Sequence, residues 1–181
     1  MARPFLELNV DLAEKSLRGY GERLAAGKIS IDRFAELCRK EIVTSSVAGF
    51  RFANGGPLDE RQTALLNNVL REQQQYFERF VGQLRDSTVP LERVPERAAA
   101  YAAAPQVAQS YGAVGRAPSE GAPASYRWEG PDGEGTCADC GPRIGRTFDR
   151  GWLLINGMPG QVQCKHNCRC HLEPVALEEV A

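Results

Sequence analysis

Five of the six cysteines fall between residues 137 and 170, in the stretches CADC (Cys137–Cys140) and CKHNCRCH (Cys164–His171), and the second stretch also holds both histidines of the chain. Thiolates at this spacing are metal ligands of the soft kind. A C-x-x-C turn presents two sulfurs to one ion, and tetrahedral zinc takes four such donors. Cys137 and Cys140, followed by Gly141, form a knuckle of that type. Cys164 and Cys168 supply a C-x3-C pair after a 23-residue spacer, an arrangement like a zinc ribbon. The expected ligands are Cys137, Cys140, Cys164 and one of Cys168 or Cys170, which share a face if the chain there is extended.

Other uses of the cluster fit less well. Disulfides need an even number of partners, but Cys38 sits on a helical stripe and reads as core, which leaves five. Clustered cysteines in a reducing cytoplasm are more often metal ligands than disulfides. A catalytic zinc keeps an open position with a general base nearby, and the chain has no H-E-x-x-H. Thr136, not Pro, precedes the knuckle and no His lies upstream, so the deaminase pattern fails. HNH-type nucleases need a His between their knuckles, and residues 141–163 contain none. With His166 and His171 inside the cluster, no separate His remains for a Ser-His or Cys-His pair. The reading is a structural site in a non-enzyme. Arg143, Arg146, Lys165 and Arg169 are placed to offset thiolate charge.

Such a site must be positioned by the rest of the chain. The 50 residues 125–174 carry few large apolar side chains, too few for a core of their own, and runs such as GWLLI and GQVQC fit short strands. Upstream the pattern is helical. Ala13, Leu17, Tyr20 and Leu24 mark one face. Ser30 is a candidate N-cap with Asp32 in the first turn, ahead of a stripe of Ile31, Phe34, Leu37, Cys38 and Ile42. That helix should fade through TSSVAG and stop at NGGP (Asn54–Pro57). The longest element runs from Asp59 to about Arg85, roughly 40 Å. Its stripe is Leu66, Val69, Leu70, Phe77, Phe80, Val81 and Leu84, and its polar face is Arg61, Asn68, Glu72, Gln75, Arg79 and Gln83.

The Ala-rich segment 96–116 reads as a soft helix, with Pro95 an early helical residue and Pro105 a kink or stop. It, or the stripe of the long helix, should bury against another protein chain. The division is therefore a helical assembly region 1–116, a Pro- and Gly-rich joint 117–124, a zinc-ribbon-like cysteine module 125–174 and a tail 175–181. The fold class is mainly α with a small irregular α+β C-terminal module. Net charge is -1 over 181 residues, split as +2 in 1–116 and -3 beyond, so direct nucleic-acid binding should be weak or absent. No apolar run approaches the length of a membrane span and the first residues have no secretory signal, which reads as a protein made in the cytoplasm.

The string Trp128, Cys137, Cys140, Gly145, Phe148, Pro159, Gly160, Cys164, Asn167, Cys168, Arg169, Cys170, Leu172 resembles the C-terminal region of phage minor head proteins of the Mu F-like head morphogenesis family. LREQQQYFERFVGQL (Leu70–Leu84) is loosely similar to helices of that family. The resemblance covers roughly residues 125–174 and implies a low-copy virion structural protein near the portal or inner capsid. Its expected partners are portal, major capsid or connector proteins, and the protein is expected to be oligomeric in the particle. In that family the cysteine module stabilises, and Asn167 and Arg169 read as supporting groups. A tail or connector component with the same module, and an intracellular zinc-containing nucleic-acid-binding protein, are the alternatives.

Overall fold

The computed structural model describes residues 3–116, 123–131, 136–164 and 168–175. It is mainly helical, with a small three-stranded antiparallel sheet and the cysteine cluster in the C-terminal region. Three long helices come first: α1 (Arg3–Ala25), α2 (Ile31–Asn54) and α3 (Glu60–Arg85). Their ends follow from local chemistry. The Ser30 hydroxyl accepts from Arg33 N, and Gly55 at φ 74° closes α2 in the left-handed conformation that glycine tolerates. Asp59 and Gln62 cap α3 reciprocally, each side chain accepting the other's backbone N–H.

The expected stripes point inward. Ala13, Leu17 and Leu24 of α1, Phe34, Cys38 and Ile42 of α2, and Phe77, Phe80, Val81 and Leu84 of α3 form one buried cluster. Phe34, Phe77, Phe80 and Tyr101 meet there at centroid distances of 5.3–6.2 Å, largely edge-on. α1 begins at Arg3, well ahead of the Ala13–Leu24 face, and α2 stops at Asn54, where NGGP is expected to end it, but it does not fade through TSSVAG on the way. Tertiary packing explains the unbroken helix: Ser45, Ser46, Gly49 and Phe50 are buried, with Gly49 against Pro105 and Phe50 against Gly112 of the segment expected to be soft.

That segment is the centre of the molecule. After a short α4 (Val94–Ala99, Pro95 in its first turn) and one 3-10 turn, Pro105 opens α5 (Ala104–Gly115) instead of ending a helix. Nearly every residue of α5 is buried. Small side chains let backbones meet: a Cβ on Gly49 would lie 2.3 Å from Pro105 O. Most of the α3 stripe and of the Ala-rich segment is thus buried within this chain.

Strands β1 (Ser125–Glu129), β2 (Thr147–Asp149) and β3 (His171–Val175) form the sheet in the order β2-β1-β3. Tyr126 faces Phe148 on one side and Pro174 on the other, and Trp128 pairs with Leu172. GWLLI is not a strand. It lies in the helix α6 (Arg150–Asn156), because Asp149 Oδ1 accepts from Trp152 N and caps it. GQVQC is turns, not strand. The composition changes at 116–125, but the core crosses that boundary: Phe50, Leu66, Val69, Val107 and Tyr111 share one buried cluster with Tyr126, Trp128, Leu153 and Leu172. Three hydrogen bonds fasten the sheet and α6 to α5: Gln109 Nε2 to Leu172 O (2.9 Å), Tyr126 OH to Ala113 O (2.7 Å) and Arg150 Nε to Val114 O (2.8 Å). Residues 117–122 of the joint and 176–181 of the tail lie outside the described residues.

Candidate metal centre

The Cys137–Cys140 knuckle is built by its own turn. Cys140 N and Gly141 N both donate to Cys137 O, and Cys140 N lies 3.4 Å from Cys137 Sγ. A 3-10 turn over Gly141–Arg143 follows, and Gly145, at φ 76°, donates to Trp128 O while Trp128 N donates to Arg146 O. The knuckle is thereby strapped to β1. The second group arrives from two directions. Asp139 Oδ2 accepts from Gln163 N at 3.0 Å and brings Cys164 to the knuckle, while Cys168 and Cys170 lie on the irregular residues that lead into β3.

The five thiols converge on Cys140. Its Sγ is 3.5 Å from Cys164 Sγ and 3.9 Å from Cys168 Sγ. Four sulfurs at about 2.3 Å from a tetrahedral ion stand about 3.8 Å apart, so these separations fit a shared ion and are far beyond a covalent S–S bond of about 2.05 Å. Two triads, Cys137/Cys140/Cys164 and Cys140/Cys168/Cys170, each have all three sulfurs within 4.8 Å of one another. These cysteines could hold a metal ion. All six cysteines are free thiols, and Cys38 is the buried core residue expected.

The thiols divide their protons unevenly. Cys164 is lowered from its ordinary pKa by hydrogen bonds from Cys140 and Cys168, and Cys170 by the same two neighbours with help from the Trp128 indole. Cys140 is raised because it serves Cys164, Cys168 and Cys170 as donor. Cys168 is lowered by Cys140, but Cys164, Cys170 and burial outweigh that and raise it on balance. A cation entering such a cluster replaces the protons that hold it together. Trp128 Nε1 is buried with no partner at ordinary hydrogen-bond geometry, so Cys170 is the acceptor available to it.

The surroundings are aromatic. The Arg143 guanidinium, expected to face the thiolates, instead sits 5.1 Å from the Trp128 ring centroid and 5.3 Å from that of Trp152. Phe148 stacks on Trp152 at 4.2 Å. This clamp between knuckle and α6 is not legible in spacing alone. Trp128 marks one side of it in the sequence, but Trp152 sits in a run with strand composition. Arg146 and Arg169 are exposed. Lys165, His166 and Asn167 lie outside the described residues, and His171 Nε2 is 3.4 Å from Glu173 Oε1.

Compared with protein-family models, with curated proteins and with solved structures, the chain matches none of them. No helix among the described residues is long and apolar enough to cross a membrane.

Proposed function

We propose that this chain is a non-enzymatic structural protein of a phage particle, a minor head component near the portal, with one structural zinc ion in its cysteine centre. One observation carries the reading. Eight of the thirteen residues behind the resemblance to head morphogenesis proteins, scattered over 45 positions of sequence, gather into one unit: Trp128, Cys140, Cys168, Cys170 and Leu172 are buried together, with Cys137, Phe148 and Cys164 packed against them. A motif that is also a packing unit is under structural constraint, and its role is to hold shape. Zinc is the assignment because all five donors are thiolates, which select soft or borderline ions, and because zinc needs no redox partner.

Contacts with neighbouring particle proteins fall on the helical part. Phe5, Leu8 and Leu12 line an exposed face of α1, and Phe5 stacks on Phe52 of α2 at 4.6 Å. The test is the protein's location. Mass spectrometry of purified virions should find the chain at low copy, and disrupting its gene should yield defective or empty particles. Detection only in infected-cell lysate, never in virions, would return the protein to the class of intracellular binding modules.

A further inference from the structure

Arg61 on α3 and Arg150 at the start of α6 both reach the end of α5. Arg61 Nη2 donates to Gly115 O, and Arg150 Nε donates to Val114 O. Cations are favoured at such a helix end, but each bond uses one N–H of a guanidinium that carries five. The other donors meet no carboxylate. Among the described residues Arg18, Arg33, Arg39, Arg85 and Arg127 each pair with an acidic side chain, whereas Arg61 and Arg150 do not. Both line one groove of about 350 Å³, together with Leu65 of α3, Val114 of α5, Leu154 of α6 and Met158. No Asp or Glu lines it. Leu154 is 54% exposed and its neighbour Ile155 84%, the most exposed large apolar side chain among the described residues.

We propose that this groove binds an acidic, leucine-rich segment of another protein. An aliphatic side chain of the segment enters beside Leu65, Leu154 and Met158, and flanking carboxylates take the spare N–H donors of Arg61 and Arg150. The complementarity is in both charge and polarity: an apolar lining with two cations and no anion matches aliphatic residues interleaved with Glu or Asp. Charge-assisted bonds from guanidinium to carboxylate are the strong, directional kind. The α5 carbonyls already hold both guanidiniums in place, so little side-chain freedom is lost on binding. Nucleic acid suits the groove less well. Its one aromatic residue, Tyr111, is 5% exposed and leaves no ring face for a base to stack on. The surface uses neither the cysteines nor the exposed face of α1, and the proposal stands apart from the particle reading above.

The experiment titrates the full-length protein into a short fluorescent peptide of alternating leucine and glutamate pairs and follows anisotropy. Binding should saturate and weaken with added salt, and a peptide with lysine in place of glutamate should not bind. Arg61→Glu and Leu154→Glu should each weaken binding by about tenfold or more. Arg61→Glu can disturb the end of α5, but Leu154 is exposed, so its variant reads the groove in a normally folded chain. Leu8→Glu/Leu12→Glu, on α1, should bind like the wild type; loss there instead would put the peptide on α1 and overturn the proposal. No binding by the full-length protein, equal binding of the two peptides, or wild-type affinity in both groove variants would overturn it as well. Binding that appears only after residues 176–181 are removed would make the chain's own tail the occupant, against a partner protein.

Discussion

Gly112 of α5 lies directly against the backbone of Phe50 in α2: a Cβ on Gly112 would stand 2.5 Å from Phe50 O. The neighbour is main chain inside a long helix, so it cannot swing aside as a flexible side chain would. Gly112→Ala should cost about 2 kcal/mol of stability through overpacking, even though alanine is the better helix former. In a chain of this size that is a fall in melting temperature of about 4–8 °C. Gly82 supplies the control, since a Cβ added there would meet nothing within 4 Å; Gly82→Ala should raise stability by up to about 1 kcal/mol. Thermal melts of the two variants should move in opposite directions.

Because the core is shared, a metal ion bound by these cysteines would stabilise the whole chain. Val107 of α5, Met158, Val162 and Cys140 belong to one cluster, and Gly160 approaches Val107 so closely that a Cβ would meet it at 2.5 Å. A flexible joint between two units, as the sequence suggests, would give two separable melting events. The continuous core predicts instead that zinc present at about 100 times its dissociation constant adds about 2.7 kcal/mol, or about 5–10 °C, to one cooperative transition. Calorimetry before and after chelation reads this, and two well-separated transitions would show the cysteine module melting by itself.

Much of the fold is legible in the sequence because periodicity reports burial. The stripes of α2 and α3, the Ser30 cap and the isolation of Cys38 in the core follow from residues three and four apart, and the metal ligand candidates from C-x-x-C spacing. What is not legible depends on who packs against whom. Ala104–Gly115 has few large side chains and so looks weak in isolation. Those small residues are what allow α2 to approach, which places α5 at the centre. GWLLI has strand composition, but a single capping carboxylate at Asp149 turns it into a helix. The order of the sheet needs long-range pairing that no local pattern encodes: β1 lies between strands that follow it by about 20 and 45 residues.

Alkaline pH should unfold the protein from a defined edge. Burial holds the phenols of Tyr101, Tyr111 and Tyr126 above their ordinary pKa of 10.0, and Tyr101 and Tyr126 donate to the Tyr76 and Ala113 carbonyls. In the unfolded chain these phenols ionise near pH 10, whereas in the folded chain they remain protonated. The stability they contribute is therefore complete below pH 10 and lost as pH rises above it. Each contributes a slope of up to about 1.4 kcal/mol per pH unit. Urea midpoints should be flat between pH 8 and 9.5 with respect to these groups and fall steeply by pH 11. A flat profile through pH 11 would mean that the tyrosines ionise in the folded protein.

The last prediction concerns the free face of α1. Leu8 and Leu12 are 57% and 55% exposed, one helical turn apart, and continue the line of Phe5 beside Phe52. α1 satisfies its own fold with the opposite side, where Leu6, Ala13, Leu17 and Leu24 are buried. Nothing in the intramolecular packing therefore requires leucine at positions 8 and 12, and replacing both with glutamate should change stability by no more than about 0.5 kcal/mol per site. Two new carboxylates on the face would nonetheless abolish burial against another protein, because desolvating unpaired charge costs several kcal/mol. Leu8→Glu/Leu12→Glu should thus melt like the wild type but be depleted from purified particles, measured by quantitative mass spectrometry after complementation of a disrupted gene. Incorporation at wild-type level by a normally folded variant would move the contact surface off α1, since the substitution spoils that face and leaves the rest of the molecule as it was.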